Sequence, residues 1–213
     1  MKKKLILFIG IILLMVWYTL TPRQEEFVLP IFTPSDLRSN LVHPSLAGKT
    51  DHTVPDFSFI DQNGNTVSEK TVQDKIYVVD FFFTSCPSIC IDLTNNLKEV
   101  QSAFIDNENV LILSHSVDPK TDDIERLQKY ASINNINSEK WFLLTGPIEN
   151  IIRMAQLGYF AIASVPNHTD NSLIHTENVI LVDKNRKIRG IYNGTSLLET
   201  SYLIDDINKL LSY

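Results

Sequence analysis

The chain has 213 residues and carries 25 acidic against 19 basic side chains, for a net charge of −6 at neutral pH. Three of the basic residues are Lys2, Lys3 and Lys4, so the rest of the chain stands near −9, which argues against a nucleic-acid partner. The roughly 160 residues after Val54 suffice for one domain with a sizeable core.

The three lysines are followed by an uncharged stretch, Leu5 to Leu20. A basic run before a stretch of this length reads as a signal anchor with its N-terminus inside. Thr19 and Thr21 extend the span, and Trp17 and Tyr18 suit a membrane interface. No small-x-small cleavage site follows and no cysteine is near enough to take a lipid, so a cleaved signal peptide is the second reading. Either way the remainder is exported, on the periplasmic-type face. Residues 1–21 are thus expected to be the transmembrane anchor, residues 22–53 an extended tether partly packed on the domain, and residues 54–213 the domain itself. Pro22, Pro30, Pro34 and Pro44 break up the tether, while the apolar run Phe27–Phe32 is suited to packing.

From Val54 onward strands and helices alternate. Phe57–Ile60, an Asn63-Gly64 turn and Thr66-Val67 predict a hairpin. Ile76–Phe83 is a continuous apolar run, which marks a strand covered on both faces. A helix is expected from Ile89 to Phe104, a second buried strand at Val110–Leu113, and a helix from Thr121 to Ile133. Thr121 would cap that helix, and Ile124, Leu127 and Tyr130 would form its inner face. Trp141–Leu144 reads as a strand, Ile148–Leu157 as a helix, Val179–Val182 and Ile188–Tyr192 as a second hairpin, and Leu197–Leu211 as a closing helix. This order defines an α/β layered sheet. A cysteine at the end of the first buried strand, opening the first helix, is the thioredoxin-like arrangement.

The two cysteines, Cys86 and Cys90, lie four apart in Phe83-Thr-Ser-Cys-Pro-Ser-Ile-Cys90. At a strand-to-helix junction, free N–H groups and the helix dipole favour the thiolate of Cys86. Spacing of i, i+4 predicts Cys90 on the same helix face, one turn along. Two such thiols are a redox pair or two soft metal ligands. A purely structural disulfide is disfavoured, because the closed loop is tiny and the helical geometry is poor. In a thioredoxin-like sheet, the loop entering the strand after the third helix lies against the active-site helix, which brings His175 towards the pair. His168, in the same loop, is its rival. His115, in Ser114-His-Ser-Val-Asp118, sits at the end of the second buried strand, where it and Asp118 are candidates for a supporting role or partner contact. Asp80 is a charge inside an apolar run, placed either to move protons near the thiols or merely to face a sheet edge. His43 and His52 fall in the tether and are given no chemistry. Two thiolates favour Cu(I), and an added imidazole accommodates Cu(II). A structural zinc site would want a fourth ligand, and none is well placed.

Phe83-Thr-Ser-Cys86-Pro-Ser-Ile-Cys90 resembles the FTxCPxxC motif of the Sco/SenC family. Ser116-Val-Asp118-Pro, with Asp122 and Asp123 following, resembles its SVDPxxD segment. His175-Thr, leading into Val179–Asp183 and Lys187–Gly190, resembles its histidine-plus-hairpin segment. The likeness runs in order over about residues 50–212, behind an N-terminal anchor. It implies a thioredoxin-like fold and copper held by Cys86, Cys90 and His175. It also implies a role in assembling the dinuclear copper centre of cytochrome c oxidase, as a carrier rather than an enzyme in the turnover sense. The implied partners are the oxidase copper-site subunit, a copper donor protein, a thioredoxin-like reductant and the membrane. Ser88 and Ile91 depart from the family pattern, where Asp and Pro are common, and reduce the acidic rim of the site. Two other readings use the same residues: a thiol–disulfide oxidoreductase with Cys86 and Cys90 as its redox pair, and a redox or copper sensor.

Overall fold

The structure is a computed structural model that describes residues 10–12, 14–17, 28–37, 42–162 and 176–212. Among the described residues from 28 onward there are seven strands and four α-helices. A short antiparallel hairpin, β1 (Ser58–Ile60) with β2 (Thr66–Ser68), pairs Phe59 with Val67. Its turn uses Gly64 at φ 81°, where a side chain would be strained. Asp61 accepts from the backbone N–H groups of Asn63 and Asn65, both at 2.8 Å, and so holds the loop closed.

The main sheet has five strands in the order β5-β4-β3-β6-β7. At its centre β3 (Ile76–Phe82) pairs in parallel with β4 (Val110–Ser116), and β4 pairs in parallel with β5 (Trp141–Leu144). On the other side β6 (Asn178–Val182) runs antiparallel to β3, and β7 (Ile188–Asn193) antiparallel to β6. Every residue of β3 and β4 is buried, as the unbroken apolar runs require. The strand β4 continues three residues past the apolar run through Ser114, His115 and Ser116. Polar residues are admitted there because the two serine hydroxyls find buried partners, described below.

Helix α1 (Ile89–Ala103) follows β3, and α2 (Ile124–Ile133) follows β4. They meet where the hydroxyls of Thr94 and Tyr130 share a 2.8 Å hydrogen bond, with the Tyr130 ring against Phe82. The closing helix α4 (Leu197–Leu211) packs against α1, β7 and β3. The opposite face of the sheet carries the β1–β2 hairpin and α3 (Ile148–Arg153), which runs on into a π-turn, Met154–Gly158. Phe59 and Tyr159 both reach the sheet there.

Helix α2 begins three residues later than the sequence predicts. Its N-cap is Asp123, which accepts from the Arg126 N–H at 2.8 Å. Thr121 and Asp122 stay in a turn, with both of their N–H groups directed at the Asp118 carbonyl. Leu127 is buried and Tyr130 partly buried, as the inner face requires, whereas Ile124, the first residue of the helix, is 38% exposed.

Before the hairpin, the chain lies along the far edge of the sheet. The Phe32 N–H donates to the Ile188 carbonyl at 2.8 Å, and the Arg189 guanidinium reaches the carbonyls of Leu29 and Pro30. Leu29, Val42 and Leu46 are buried. His52 donates its Nε2–H to the Gly158 carbonyl (2.8 Å) and its ring lies tilted against Phe160 with centroids 4.2 Å apart, a structural seat. Residues 10–12 and 14–17 are helical. Among the described residues no helix is long and apolar enough to cross a membrane, and most of the expected anchor lies outside them.

Candidate metal centre

Strand β3 ends at Phe82 and α1 starts at Ile89, so Cys86 lies in the intervening turn and Cys90 is the second residue of the helix. The expectation that both thiols share one helix face is therefore corrected. Pro87 is the reason, since a residue preceding proline is disfavoured in the α region. The turn is closed by the Cys86 N–H donating to the Phe83 carbonyl at 3.2 Å. Both thiols are buried, both are free of disulfide, and they hydrogen-bond to one another.

Their electrostatics differ. Burial opposes ionisation of Cys86. The Cys90 thiol, the backbone of Ser88 and Cys90, and the Ser88 hydroxyl more than offset it, so Cys86 is held below the ordinary thiol value. Cys90 is pushed up to about 12, first by burial, then by the hydrogen bond it gives to Cys86 and by the nearby charges of Cys86 and Asp80. One sulfur is thus disposed to be a thiolate while the other keeps its proton.

Two buried aspartates stand on this side of the sheet. Asp80 accepts a short hydrogen bond from the Ser114 hydroxyl, which in turn accepts from Trp141 Nε1 at 2.7 Å. Burial raises the Asp80 carboxyl to about 7. Asp122 is fully buried and accepts from the Thr84 N–H (3.0 Å), the Thr84 hydroxyl (2.5 Å) and the Ser116 hydroxyl (2.6 Å). Thr84 and Asp122 were not singled out as site residues from sequence. The signal available was their presence in the two resembling motifs, FTxC and SVDPxxD.

His115 is placed otherwise. In the pairing register it lies opposite Phe81, between Ser114 and Ser116, and its ring packs on Phe81 (5.2 Å), Phe59 (4.8 Å) and Tyr159 (5.8 Å). That is the face opposite Asp80 and Tyr130, so the structure does not bring His115 to the thiols. Asp118 is half-buried at the sheet's C-terminal edge, where its carbonyl anchors the turn into Thr121 and Asp122. His175 and His168 lie outside the described residues. Among the described residues no group of three His, Cys, Asp or Glu side chains is placed to hold a metal ion. The thiol pair itself, two soft donors in contact, suits a soft cation.

A five-stranded α/β sheet with a reduced dithiol where its central strand passes into the first helix defines a thioredoxin-like dithiol protein. The SCO1/SenC family profile matches residues 46–212, and the chain belongs to that family. It is 31% identical over 158 residues to the SCO1 protein homolog of Bacillus subtilis, covering 73% of this chain and 81% of that protein. Its fold matches a SCO1/SenC family lipoprotein from Bacillus anthracis with a TM-score of 0.68 at 27% identity, over 76% of this chain and 96% of that one. It also matches BsSco, a member of the Sco family of cytochrome c oxidase assembly proteins with an identified disulfide switch. There the TM-score is 0.64 at 28% identity, over 76% and 95% of the two chains. Bradyrhizobium japonicum ScoI, solved with copper bound, shares the fold with a TM-score of 0.59 at 22% identity, over 75% and 99%.

Proposed function

We propose that this protein is a membrane-anchored copper carrier whose cargo is held by Cys86, Cys90 and His175, and that it serves assembly of the dinuclear copper centre of cytochrome c oxidase. The observation that carries the reading is the reduced, mutually hydrogen-bonded Cys86–Cys90 pair in a chain of the SCO1/SenC family. Cu(I) prefers thiolates, and a third, imidazole ligand makes the site able to keep Cu(II) as well. A thiolate already favoured at Cys86 lowers the proton cost of loading, since a metal must displace the thiol protons. In this reading the N-terminal stretch holds the domain on the exported face. A copper donor loads it there, a thioredoxin-like reductant keeps the thiols reduced, and the oxidase copper-site subunit receives the ion.

The test is metal analysis of the full-length protein, reduced and anaerobic, with Cu(I) and Cu(II) supplied in turn. One copper per chain is expected, with a sulfur-to-copper charge-transfer band for Cu(II) that either cysteine-to-serine change abolishes. His175→Ala is expected to weaken Cu(II) more than Cu(I). Cys90→Ser binding both oxidation states like the parent would overturn the assignment.

A second reading is favoured by the asymmetry of the thiols. A low-pKa Cys86 beside a protonated Cys90 is the arrangement of a dithiol reductant: the Cys86 thiolate attacks a partner disulfide, forming a mixed disulfide and expelling one partner thiol, and Cys90, losing its proton, then attacks the Cys86 sulfur, forming the Cys86–Cys90 disulfide and expelling the second partner thiol. The two readings part at His175. In a host with the oxidase, full oxidase activity at low copper with His175→Ala but not with Cys86→Ser selects the reductase.

A further inference from the structure

Cys90 moves with helix α1, but Cys86 does not, because it sits in the turn before the helix. The separation of the two sulfurs is therefore set by whatever holds that turn. Within the turn the Cys86 N–H donates to the Phe83 carbonyl at 3.2 Å, and the Cys86 sulfur is met by the backbone of Ser88 and Cys90 and by the Ser88 hydroxyl. A further hold comes from outside. Thr84, two residues before Cys86, gives both its N–H and its hydroxyl to the buried Asp122 carboxylate, 38 residues along the chain. The same carboxylate takes the Ser116 hydroxyl, and Ser116 Oγ accepts the Asp118 N–H at 3.2 Å. Arg126 closes the cluster: its Nε donates to Thr84 Oγ1 at 2.6 Å and lies 3.7 Å from Asp122.

We propose that Asp122 is a positioning residue for Cys86: through Thr84 it fixes the turn that sets the bite of the Cys86–Cys90 pair. A buried carboxylate must be met by donors, and this one takes two of its three from the cysteine turn. Its desolvation cost thus locks the turn to the end of β4. A ligand pair held at a preset separation does not have to be ordered when the ion arrives. The inference rests on Cys86 and Cys90 being the metal-binding pair, and it makes the aspartate that follows the Ser116–Pro119 segment a support of the site rather than a ligand or a surface charge.

The experiment compares full-length parent, Asp122→Asn, Thr84→Val, Thr84→Ser and the double variant Asp122→Asn/Thr84→Val. Leu127→Ala, buried in α2 and outside the cluster, serves as the control for general loosening. The readout is Cu(I) affinity by competition with a chromophoric Cu(I) chelator, on protein shown to be folded by its thermal melt. Asp122→Asn and Thr84→Val are each expected to lose about 10–100-fold. Thr84→Ser should stay within about threefold of the parent, and the double variant within about threefold of the weaker single one, since the two residues act as one unit. Leu127→Ala should melt lower yet bind as the parent does. Folded Thr84→Val with parental affinity overturns the proposal, as does an equal loss in Leu127→Ala. Thr84→Val alone decides if Asp122→Asn does not fold. A parent that takes no Cu(I) on this pair sinks the copper reading instead. The positioning is then judged on the equilibrium in which oxidised glutathione takes two electrons from the dithiol, giving the Cys86–Cys90 disulfide and two reduced glutathiones. A shift of at least about threefold in Asp122→Asn and Thr84→Val but not Leu127→Ala upholds it, and no shift overturns it.

Discussion

Ser114, His115 and Ser116 are consecutive in β4, all fully buried, yet they belong to two different environments. The serines face the thiol side of the sheet, and each gives its hydroxyl to a buried aspartate, Asp80 or Asp122. His115 faces the other side, among Phe59, Phe81 and Tyr159, and neither of its ring nitrogens has a hydrogen-bond partner among the described residues. One face has been built to hold polar atoms in register, while the other treats an imidazole as an aromatic filler. The period of two along a strand makes the difference, so nearness in sequence to the active edge does not confer membership of the site.

The largest effect expected from this contrast is at Asp80. Burial raises its carboxyl to about 7, against 3.8 for an ordinary aspartate. Between about pH 4 and 7 the folded, copper-free chain holds a proton that the unfolded chain releases. Stability therefore falls as pH rises through that window, by up to about 4 kcal/mol. Asp80→Asn cannot ionise and keeps an oxygen for Ser114. It should match the parent near pH 4 and exceed it at pH 8, read by urea denaturation at both values. A parent-like pH profile in the variant would mean that the thiol face tolerates a buried charge better than described.

Next comes the serine beside the histidine. Ser116→Ala removes one of three donors to a buried carboxylate, at a cost of about 1.5–3 kcal/mol. The neighbouring change, His115→Leu, should behave in the opposite sense. Near pH 7 the lost ring contacts and the removed orphan nitrogens offset one another to within about 1 kcal/mol. Burial depresses His115 to about 3, so below 6.5 the unfolded parent binds a proton that the folded parent refuses, and the parent loses stability as pH falls. At pH 5 the variant should therefore gain about 2 kcal/mol relative to the parent. Equal melting curves at pH 5 would show that His115 has a partner when charged.

These environments were unevenly legible in the sequence. The strands of the core could be read because unbroken apolar runs such as Ile76–Phe83 have one physical outcome in an α/β chain. The closing helix, Leu197–Leu211, was readable to the residue. The cysteine pair announced itself, but the helix-face geometry assigned to it was wrong, because Pro87 acts on Cys86 locally while i, i+4 spacing assumes a helix on both residues. Asp80 was visibly odd within its run, but nothing local names Ser114 as its partner. Asp122 looked like one acid among three near the start of α2. Its burial depends on donors from Thr84, and that pairing exists only once β3 and β4 lie side by side. Helix α2 was started too early for the same reason: Thr121 is a good cap in isolation, but the tie at Asp122 keeps that turn from becoming helical.

The smallest expected effect lies where the two helices of the thiol face touch. Tyr130 in α2 shares a hydrogen bond with Thr94 in α1, one turn beyond Cys90, while its ring rests on Phe82 with centroids 5.5 Å apart. Tyr130→Phe removes the hydroxyl and keeps the ring, so only the hydrogen bond is lost, worth about 1 kcal/mol for a neutral pair. Thr94→Val should cost a similar amount, and the double variant little more than either, because one interaction is being removed from its two ends. Neither change touches the Thr84–Asp122 tie, so Cu(I) affinity should stay within about threefold of the parent while the melting temperature falls slightly. A larger loss of affinity in Tyr130→Phe than in Thr84→Val would move the control of the thiol pair from the turn that carries Cys86 to the helix that carries Cys90.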